Sequence, residues 1–405
     1  MPSVSRCATC SKPLEELLKP DTARVRTDKA KGGDRSSGDL AFWLALHFLK
    51  DIGPVTARSL LALYHDPAKI FRASFDDLRN IGFVGELKAR RIKAFDDWAA
   101  VDHEIKTVEE QGIRIIRCVD GDYPELLRHI DDAPLLLYVK GTLKETDRHA
   151  IAIVGSRKMS GYGAKVAWLL STELATCGLT IVSGMAVGID TVSHRGALST
   201  GGRTIAVLGC GLDQPYPPQN KELFDVLAEK GCVVSEFPLG TPPLREHFPR
   251  RNRLISGLSL GVIVVEAAAQ SGSLITAGCA LEQGREVFAV PGNITSSSSK
   301  GTNGLIKKGA VLVRSVEDVL EELSPHLGGI RGITRRGEQH TGREASLEIS
   351  ADEKAICNVL GDEPKHVDIV ARETQIPAAR LLGMLLNLEI KGIVKQAEGK
   401  RFFLA

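Results

Sequence analysis

The sequence predicts an α/β protein with a Rossmann-like doubly wound parallel sheet, a helical domain before the sheet and a winged helix after it. Seven short β-branched runs between residues 151 and 313 alternate with helical stretches. Apolar strands separated by helices are typical of a parallel sheet that helices cover on both faces. A helical segment with short loops precedes these runs, and three helical stretches followed by two short strands end the chain.

The composition limits the classes of protein to which this chain can belong. Its 405 residues are 43% hydrophobic and 25% charged, which excludes a wholly disordered chain. The 52 Lys and Arg residues nearly balance the 50 Asp and Glu residues, so nucleic-acid binding would need a local cationic patch. The sequence has no apolar run of the roughly 20 residues that cross a membrane, and Met1 to Lys12 lack the apolar segment of a secretory signal. We therefore expect a cytoplasmic protein without a membrane span, whose cysteines are reduced.

The chain before the sheet divides into two predicted parts. Residues 1–38 are polar and charged, and we expect a disordered tail there. Cys7 and Cys10 form a CxxC pair, but no second pair with zinc-ligand spacing follows, so we predict no metal site and no cofactor. Residues 39–110 are expected to form a helical, helix-hairpin-helix or SAM-like domain.

Two segments of this helical domain resemble helix-hairpin-helix units, around Gly53 and Gly82. In that motif a glycine hairpin turns backbone amides toward a DNA phosphate and gives binding without base readout. The usual hairpin has two glycines around an apolar residue, but here Val55 takes one glycine position and Gly85 falls one place late. Simple helical packing is therefore an equal alternative to phosphate binding.

The central domain is expected over residues 111–323. Its predicted strands are Ile151 to Val154, Thr180 to Val182, Thr204 to Leu208, Cys232 to Ser235, Val262 to Val265, Val287 to Val290 and Ala310 to Val313. Small residues follow several of these strands: Gly155-Ser156-Arg157, Ser183-Gly184 and, after Glu266, Ser271-Gly272-Ser273. Ligands bind at the carboxyl ends of the strands in such sheets, where loop amides and helix N-termini favour anions.

The end of the chain predicts a linker and a winged helix. Residues 324–346 are rich in Gly and Arg and are expected to be flexible, and residues 347–405 form the predicted winged helix. Ser350 and Glu353 make a capping box at its first helix. The predicted recognition helix, Ala378 to Lys391, carries only Arg380 and Lys391 as cations. Groove reading usually needs more Arg, Asn or Gln, so we predict a protein contact or an auxiliary role for this domain.

The segment from Arg245 to Arg253 concentrates cations around Phe248 in an otherwise neutral chain. Arginine donates bidentate hydrogen bonds to phosphate, and an aromatic face stacks on any base. This combination suits single-stranded nucleic acid, and the alternative is a solvated turn with internal salt bridges, for example to Glu246. The sequence contains no P-loop, HExxH or complete GxGxxG motif. A formal match to a nucleophile elbow, Gly257 to Gly261, is rejected because its strand follows the serine.

Long ordered motifs between about Tyr123 and Leu323 resemble the DNA processing protein A family (DprA, also called Smf). The residues that carry this resemblance are Gly155-Ser156-Arg157, Ser183 to Asp190 with His194, Gly211 to Asp213 with Tyr216-Pro217, Ser235-Glu236, Phe248 to Arg253, Glu266 with Ser271 to Thr276, and Pro291-Gly292 with Gly301 to Asn303. The helical domain and the winged helix also resemble the common architecture of that family.

The resemblance implies a protein that binds and protects single-stranded DNA, forms a dimer and helps load the recombinase RecA during natural transformation (competence). Lys221 matches the family's DNA-contacting pattern less closely, since Pro218 occupies a position where the family often has lysine. We expect the guanidinium groups of Arg157 and Arg251 to face solvent. The complete predicted nucleic-acid-binding set is Gly155, Ser156, Arg157, Ser183, Gly184, Lys221, Phe248, Arg250, Arg251, Asn252, Arg253, Ser271, Gly272 and Ser273.

Two other classes of function remain open. The first is a nucleotide-processing enzyme of the phosphoribohydrolase type on a related Rossmann fold, although the Pro-Gly-Gly-x-Gly-Thr pattern typical of that class is not found between Glu266 and Ser273. The second is a transcriptional regulator, against which the weak recognition helix argues. The possible acid–base groups His194, Asp190, Glu236 and Glu266 are explained as well by structural hydrogen bonding at strand ends. No residue is therefore predicted to be catalytic, and the chain is not expected to be an enzyme.

Overall fold

The computed structural model describes residues 40–327, 351–361, 364–390, 394–397, 399 and 401–404. The chain divides into two compact units, 1–333 and 334–405. The predicted tail 1–38 with Cys7 and Cys10, most of the predicted linker and Ser350 of the predicted capping box lie outside the described residues.

Residues 40–110 form a helical layer around an aromatic cluster. Phe42 meets Trp98 at a ring-centroid distance of 5.3 Å, and Phe71 meets Trp98 at 5.8 Å, both edge to face. Asp66 caps the third helix by accepting a hydrogen bond from the Ala68 amide at 2.9 Å. The helices are α1 (Leu40–Phe48), α2 (Pro54–Tyr64), α3 (Pro67–Arg72), α4 (Phe75–Arg79), α5 (Gly85–Lys93) and α6 (Trp98–Glu110).

The two predicted hairpins connect α1 to α2 and α4 to α5. In each hairpin a glycine is followed by buried residues four and seven places later in the sequence. These residues are Ala57 and Leu60 after Gly53, and Ala89 and Ile92 after Gly85. The shared spacing therefore relates Gly53 to Gly85 and not to Gly82. The Lys88 ammonium donates to the Phe83 carbonyl of the second hairpin at 2.9 Å, and it also donates to the Thr56 hydroxyl of α2 at 3.1 Å. These hydrogen bonds place the two hairpins side by side.

Residues 114–312 contain a nine-stranded sheet in the order β1-β2-β6-β5-β4-β3-β7-β8-β9. The seven predicted strands are β3 to β9, and each end lies within one residue of its predicted position. The strands are β1 (Arg114–Arg117), β2 (Leu136–Gly141), β3 (Ala150–Val154), β4 (Thr180–Ser183), β5 (Thr204–Leu208), β6 (Cys232–Ser235), β7 (Gly261–Val264), β8 (Glu286–Ala289) and β9 (Val311–Leu312).

The sheet is not wholly parallel, which corrects the prediction at one edge. Strands β3 to β9 pair in parallel, whereas β1 pairs with β2 and β2 pairs with β6 in antiparallel fashion. The connection from β1 to β2 contains only a four-residue helix, Glu125–Arg128, and antiparallel pairing needs no long crossover helix. Strand order reverses between β3 and β7, and this switch point is where doubly wound sheets bind ligands.

Alternating strand residues build a core on each face of the sheet. Ile153 packs with the helices of one face and Val154 with those of the other, as the two-residue period of a strand requires. The N-terminal helices cover the part of the first face that carries Leu136 and Tyr138. The remaining helices of this unit are α7 (Glu125–Arg128), α8 (Gly161–Thr176), α9 (Ile189–Ser199), α10 (Lys221–Lys230), α11 (His247–Gly257), α12 (Ser273–Glu282), α13 (Lys300–Lys307) and α14 (Val316–Leu323).

The second unit is a winged helix, as predicted. Its elements are α15 (Ala351–Val359), β10 (Lys365–His366), α16 (Val367–Thr374), α17 (Ala378–Ile390), β11 (Val394–Ala397) and β12 (Arg401–Leu404), with the strands in the order β10-β12-β11. Leu381, Leu385 and Leu388 of α17 are buried in its core, whereas Leu382 is 43% exposed. Three of the four α17 leucines whose side chains the structure describes are therefore core residues. Within the described ranges, no helix has the length and apolarity to cross a membrane.

Candidate nucleic-acid interface

Helix α11 lies across the carboxyl ends of the central strands. The Arg251 guanidinium donates hydrogen bonds to the Gly184 carbonyl at 2.6 Å and to the Val207 carbonyl, at the ends of β4 and β5. A Cβ at Gly184 would lie 2.7 Å from the same guanidinium, so a larger residue there would have to displace Arg251 from these carbonyls. The sequence Phe248 to Arg253 is thereby fixed above the sheet edge that the sequence predicts as the anion site.

Arg251 itself is buried, which corrects the expectation that its guanidinium faces solvent. The residue is 4% exposed, and burial lowers its pKa to about 10. Asp190, in the first turn of α9, is the opposing charge that favours the cation. Helix α11 turns this position toward the strands because Leu254 and Ile255, one turn later, enter the core. Arg251 is a scaffold residue that ties α11 to β4 and β5.

Arg157 is exposed at the end of β3, as predicted. Its guanidinium carbon lies 5.2 Å from the ring centroid of Phe248, and that of Arg251 lies 5.8 Å from the same centroid. Tyr216 packs against this ring at 5.8 Å. Phe248 is half-buried and has two guanidinium groups beside its ring, and its role as a stacking face for bases stays a prediction. The ring positions Arg157 by a cation–π contact.

Arg250 and Arg253 also differ from one another. The Arg253 guanidinium is buried and pairs with the carboxylates of Glu236 and, at 3.2 Å, Asp132. The Arg250 side chain is 57% exposed and lies 5.2 Å from the centroid of Phe237. Internal salt bridges thus exist in this segment, to Glu236 and Asp132, and Arg250 Nη2 itself lies 4.0 Å from Glu236 Oε2, but more than half of the Arg250 side chain remains exposed.

The remaining predicted residues make hydrogen bonds that join segments at this edge of the sheet or stay within one loop. The Asn252 amide donates to the Gly272 carbonyl at 3.3 Å, which joins α11 to the loop before α12. Ser183 is buried, and its hydroxyl donates to the Ile153 carbonyl at 2.7 Å. Ser271 and Ser273 hydrogen-bond one another at 2.8 Å, and Ser273 is buried.

Two further predicted positions lie at the exposed ends of elements. The Ser156 hydroxyl accepts from the Lys158 amide at 3.1 Å and closes the turn after Gly155 that presents Arg157. Lys221 is exposed at the start of α10, next to Asn220, whose amide donates to the Met185 carbonyl at 2.7 Å. Lys221 therefore follows a residue anchored to the loop after β4.

Glu266 occupies the switch point between β3 and β7. Its Oε2 accepts from the Ser160 amide at 3.0 Å and from the Ser160 hydroxyl at 2.9 Å, at the N-terminus of α8. A Cβ at Gly163 would lie 2.0 Å from this oxygen. In dinucleotide-binding folds the phosphate takes this helix N-terminus, so the carboxylate would repel a nucleotide there. This arrangement argues against the nucleotide-processing alternative.

The other candidate acid–base groups, His194, Asp190 and Glu236, are buried. The Nδ1 atom of His194 lies 2.7 Å from the Thr204 hydroxyl, and burial lowers its pKa to about 3. Burial raises the pKa of Glu236, which the guanidinium of Arg253 opposes. In the part of the chain that the structure describes, no three His, Cys, Asp or Glu side chains are grouped to hold a metal ion.

Sequence reasoning missed the residues that orient the arginines. Phe237 stacks on His247 with 4.4 Å between ring centroids and carries Arg250 on its ring. Its position one residue after Glu236, at a strand end, is the signal that could have found it. Asp132 lies in the connection between β1 and β2, and no sequence pattern marks it as the partner of Arg253.

Comparisons with known proteins show which family the chain resembles. Residues 114–324 match the protein-family model described as DNA recombination-mediator protein A, and residues 341–400 match the DprA winged helix domain. The chain is 42% identical over 362 residues to Protein Smf of Escherichia coli, covering 89% of this chain and 95% of the relative. It is 50% identical over 248 residues to DNA processing protein DprA of Streptococcus pneumoniae, covering 60% and 86%. The crystal structure of the S. pneumoniae protein is similar with a TM-score of 0.59 at 40% identity, over 69% of this chain and 96% of that one.

Proposed function

Because the chain belongs to the DNA processing protein A family, we propose that it binds single-stranded DNA along the carboxyl edge of its sheet and acts there as a recombination mediator. The observation that carries this proposal is the pair of solvent-facing arginines, Arg157 and Arg250, each held on an aromatic ring. A guanidinium that is already oriented loses less entropy when it binds a phosphate, and it donates in a bidentate fashion. Strand binding without catalysis is the function that this geometry favours.

The charges around the two arginines favour a single strand over a duplex. Asp131, Asp132 and Glu282 border the same surface on the side of Arg250. A duplex carries a second phosphate backbone at a fixed distance, and these carboxylates would repel it. A single strand is flexible and keeps its one backbone on the arginines.

The family suggests what the bound strand is used for. We propose that the protein protects incoming DNA and loads RecA onto it during natural transformation, and that it does so as a homodimer in the cytoplasm. If so, adding the protein to DNA covered by a single-strand-binding protein shortens the lag of RecA filament assembly. An unchanged lag, with strand binding intact, would contradict the loading role alone.

The strand-binding proposal is tested by titrating labelled oligonucleotides, single-stranded and duplex, at physiological salt. We expect tighter binding of the single strand, and a loss of affinity in Arg157→Ala and Arg250→Ala. Arg148→Ala is the matched control, because Arg148 is an exposed arginine at the opposite end of β3, paired with Glu145 at 3.3 Å. Equal affinity for duplex and single strand, or an equal loss in all three variants, would refute the proposal.

A further inference from the structure

A cleft of about 390 Å³ lies at the carboxyl edge of the sheet, where β7 and β8 end. Val265 follows β7 and Val290 follows β8, and both residues line the cleft. Ser160 and Tyr162, at the start of α8, are further lining residues. The cleft therefore lies between the ends of two parallel strands and the first turn of α8.

This cleft continues the proposed path of the DNA along the sheet edge. Phe237, which carries Arg250 on its ring, follows β6, and Arg157 follows β3. The sheet order is β6-β5-β4-β3-β7-β8, so the cleft lies on the far side of β3 from Arg250. Because neighbouring strands are about 4.8 Å apart, the ends of β6 and β3 are separated by ~14 Å, and those of β7 and β8 lie ~5 to 10 Å farther along. A strand that follows Arg250 and Arg157 therefore reaches the cleft within a few nucleotides.

Tyr162 supplies an oriented aromatic ring at this cleft. The residue lines the cleft and is nevertheless 53% exposed, so it lies at the opening to solvent. Its hydroxyl donates to the Pro291 carbonyl at 3.0 Å, so the side chain reaches from α8 to the loop after β8 and is held at both ends. Bases of single strands stack on aromatic side chains whatever their identity, because every base has a π-face. A ring that is exposed and already oriented suits this contact.

The size and charge of the cleft suit an uncharged ring. A cavity of about 150 Å³ in a protein holds a benzene molecule, so this cleft has room for a pyrimidine or a purine. Among the described residues that line it, Glu266 alone has a charged side chain. Its carboxylate, which keeps a phosphate away from the N-terminus of α8, does not repel a neutral base whose phosphates stay outside. The cleft therefore selects a base and not the backbone.

We propose that one base of the bound strand enters this cleft and stacks on Tyr162, while the phosphates stay on Arg157 and Arg250. The proposal rests on the proposed strand binding and adds a base contact to its phosphate contacts. Affinity then has two components, a phosphate part that falls as salt is added and a stacking part that salt affects little. Because stacking accepts every base, the site binds a strand of any sequence.

The test compares two single strands of equal length, an oligothymidine and an abasic strand that has the same phosphates and sugars without bases. We expect the wild-type protein to bind the thymidine strand at least about tenfold more tightly. Tyr162→Ala should lower the affinity for the thymidine strand about tenfold, leave the affinity for the abasic strand within about twofold, and leave the salt dependence of binding unchanged. Equal binding of the two strands by the wild type would overturn the base site and leave the phosphate contacts intact, whereas no binding of either strand would refute the proposed function itself.

Two further variants assign the effect to the ring of Tyr162. Tyr162→Phe keeps the ring and removes only the hydroxyl that binds the Pro291 carbonyl, so it should keep most of the thymidine advantage. Trp168→Ala is the matched control, because this aromatic residue of α8 is 45% exposed and does not line the cleft, and it should change neither affinity. If Tyr162→Ala fails to fold, Tyr162→Leu decides. A thymidine advantage that persists undiminished without the ring, or that Trp168→Ala reduces equally, would place base stacking elsewhere on the molecule.

Discussion

Arg250 and Arg251 are neighbours in α11, yet one side chain faces solvent and the other is buried. Successive helical residues point about 100° apart, so the helix presents Arg250 outward and Arg251 toward the ends of β4 and β5. The two residues therefore do different work, although the sequence shows only a run of cations. Which of the two side chains is buried depends on how α11 is rotated about its own axis above the sheet.

This difference gives a matched pair of variants. Arg251→Ala leaves the carbonyls of Gly184 and Val207 without their donor and should lower the free energy of unfolding by about 2 to 4 kcal/mol. Arg250→Ala should leave that free energy within about 0.5 kcal/mol of the wild type and weaken single-strand binding by ~1 to 3 kcal/mol. Urea unfolding and oligonucleotide titration measure the two effects. Full stability in Arg251→Ala would contradict the scaffold role.

His194 makes stability depend on pH. Its folded-state pKa is about 3 because it is buried, against an ordinary value of 6.5. The unfolded chain therefore binds a proton that the folded chain excludes, and the stability is present above pH 6.5 and lost as the pH falls toward 3. Between pH 7.5 and 5.5 this histidine should account for about 1 kcal/mol of lost stability. His194→Asn should remove this contribution to the pH dependence of the free energy of unfolding, even if it lowers that free energy at every pH. An unchanged pH dependence in the variant would show that His194 is not its cause.

At the scale of elements, the loop after β4 supports the loop that carries Arg157. Gly188 has φ 90° and ψ −131°, a backbone conformation that is unfavourable for residues other than glycine. A Cβ at this position would lie 2.3 Å from the Ser156 carbonyl oxygen. Only glycine lets the two loops pack closely enough to hold Arg157 over Phe248.

Gly188→Ala should therefore lower the free energy of unfolding by about 2 to 4 kcal/mol and weaken strand binding as well. Gly278→Ala is the control, because this glycine lies inside α12 with no atom within 4 Å of its Cβ position. That variant should gain about 0.5 to 1 kcal/mol from helix propensity. Thermal unfolding of both variants checks the prediction, which fails if they behave alike.

The sequence predicts elements better than it predicts contacts. Strands β3 to β9 are continuous β-branched runs, so their positions follow from composition and period. Strands β1 and β2 were missed because Arg114–Arg117 begins and ends with arginine, and because neither strand belongs to the alternation of strands and long helices that predicts β3 to β9. The structure brings the residues near the strand ends together at one edge of the sheet, but the burial of Arg251 and Arg253 comes from tertiary hydrogen bonds and ion pairs that no local pattern encodes.

At the scale of the whole molecule, the proposed dimer makes affinity depend on strand length. A strand that is bound at one site of the dimer is held at a high effective concentration near the second site. Long oligonucleotides that reach both sites should therefore bind at least about 100-fold tighter than short ones. A titration over increasing lengths, with light scattering at each protein concentration, measures this. Monomers throughout the micromolar range, with tight long-strand binding retained, would contradict the dimer.

The central claim is that Arg157 and Arg250 are the phosphate contacts of a single-strand site, and the salt dependence of binding tests it most directly. Each phosphate neutralised on a single strand contributes a slope of about 0.7 in log affinity against log salt. The double variant Arg157→Ala, Arg250→Ala should therefore lower the slope by ~1.4 relative to the wild type, whereas Arg148→Ala should leave it unchanged. A double variant that keeps the wild-type slope would show that the strand binds elsewhere on the molecule.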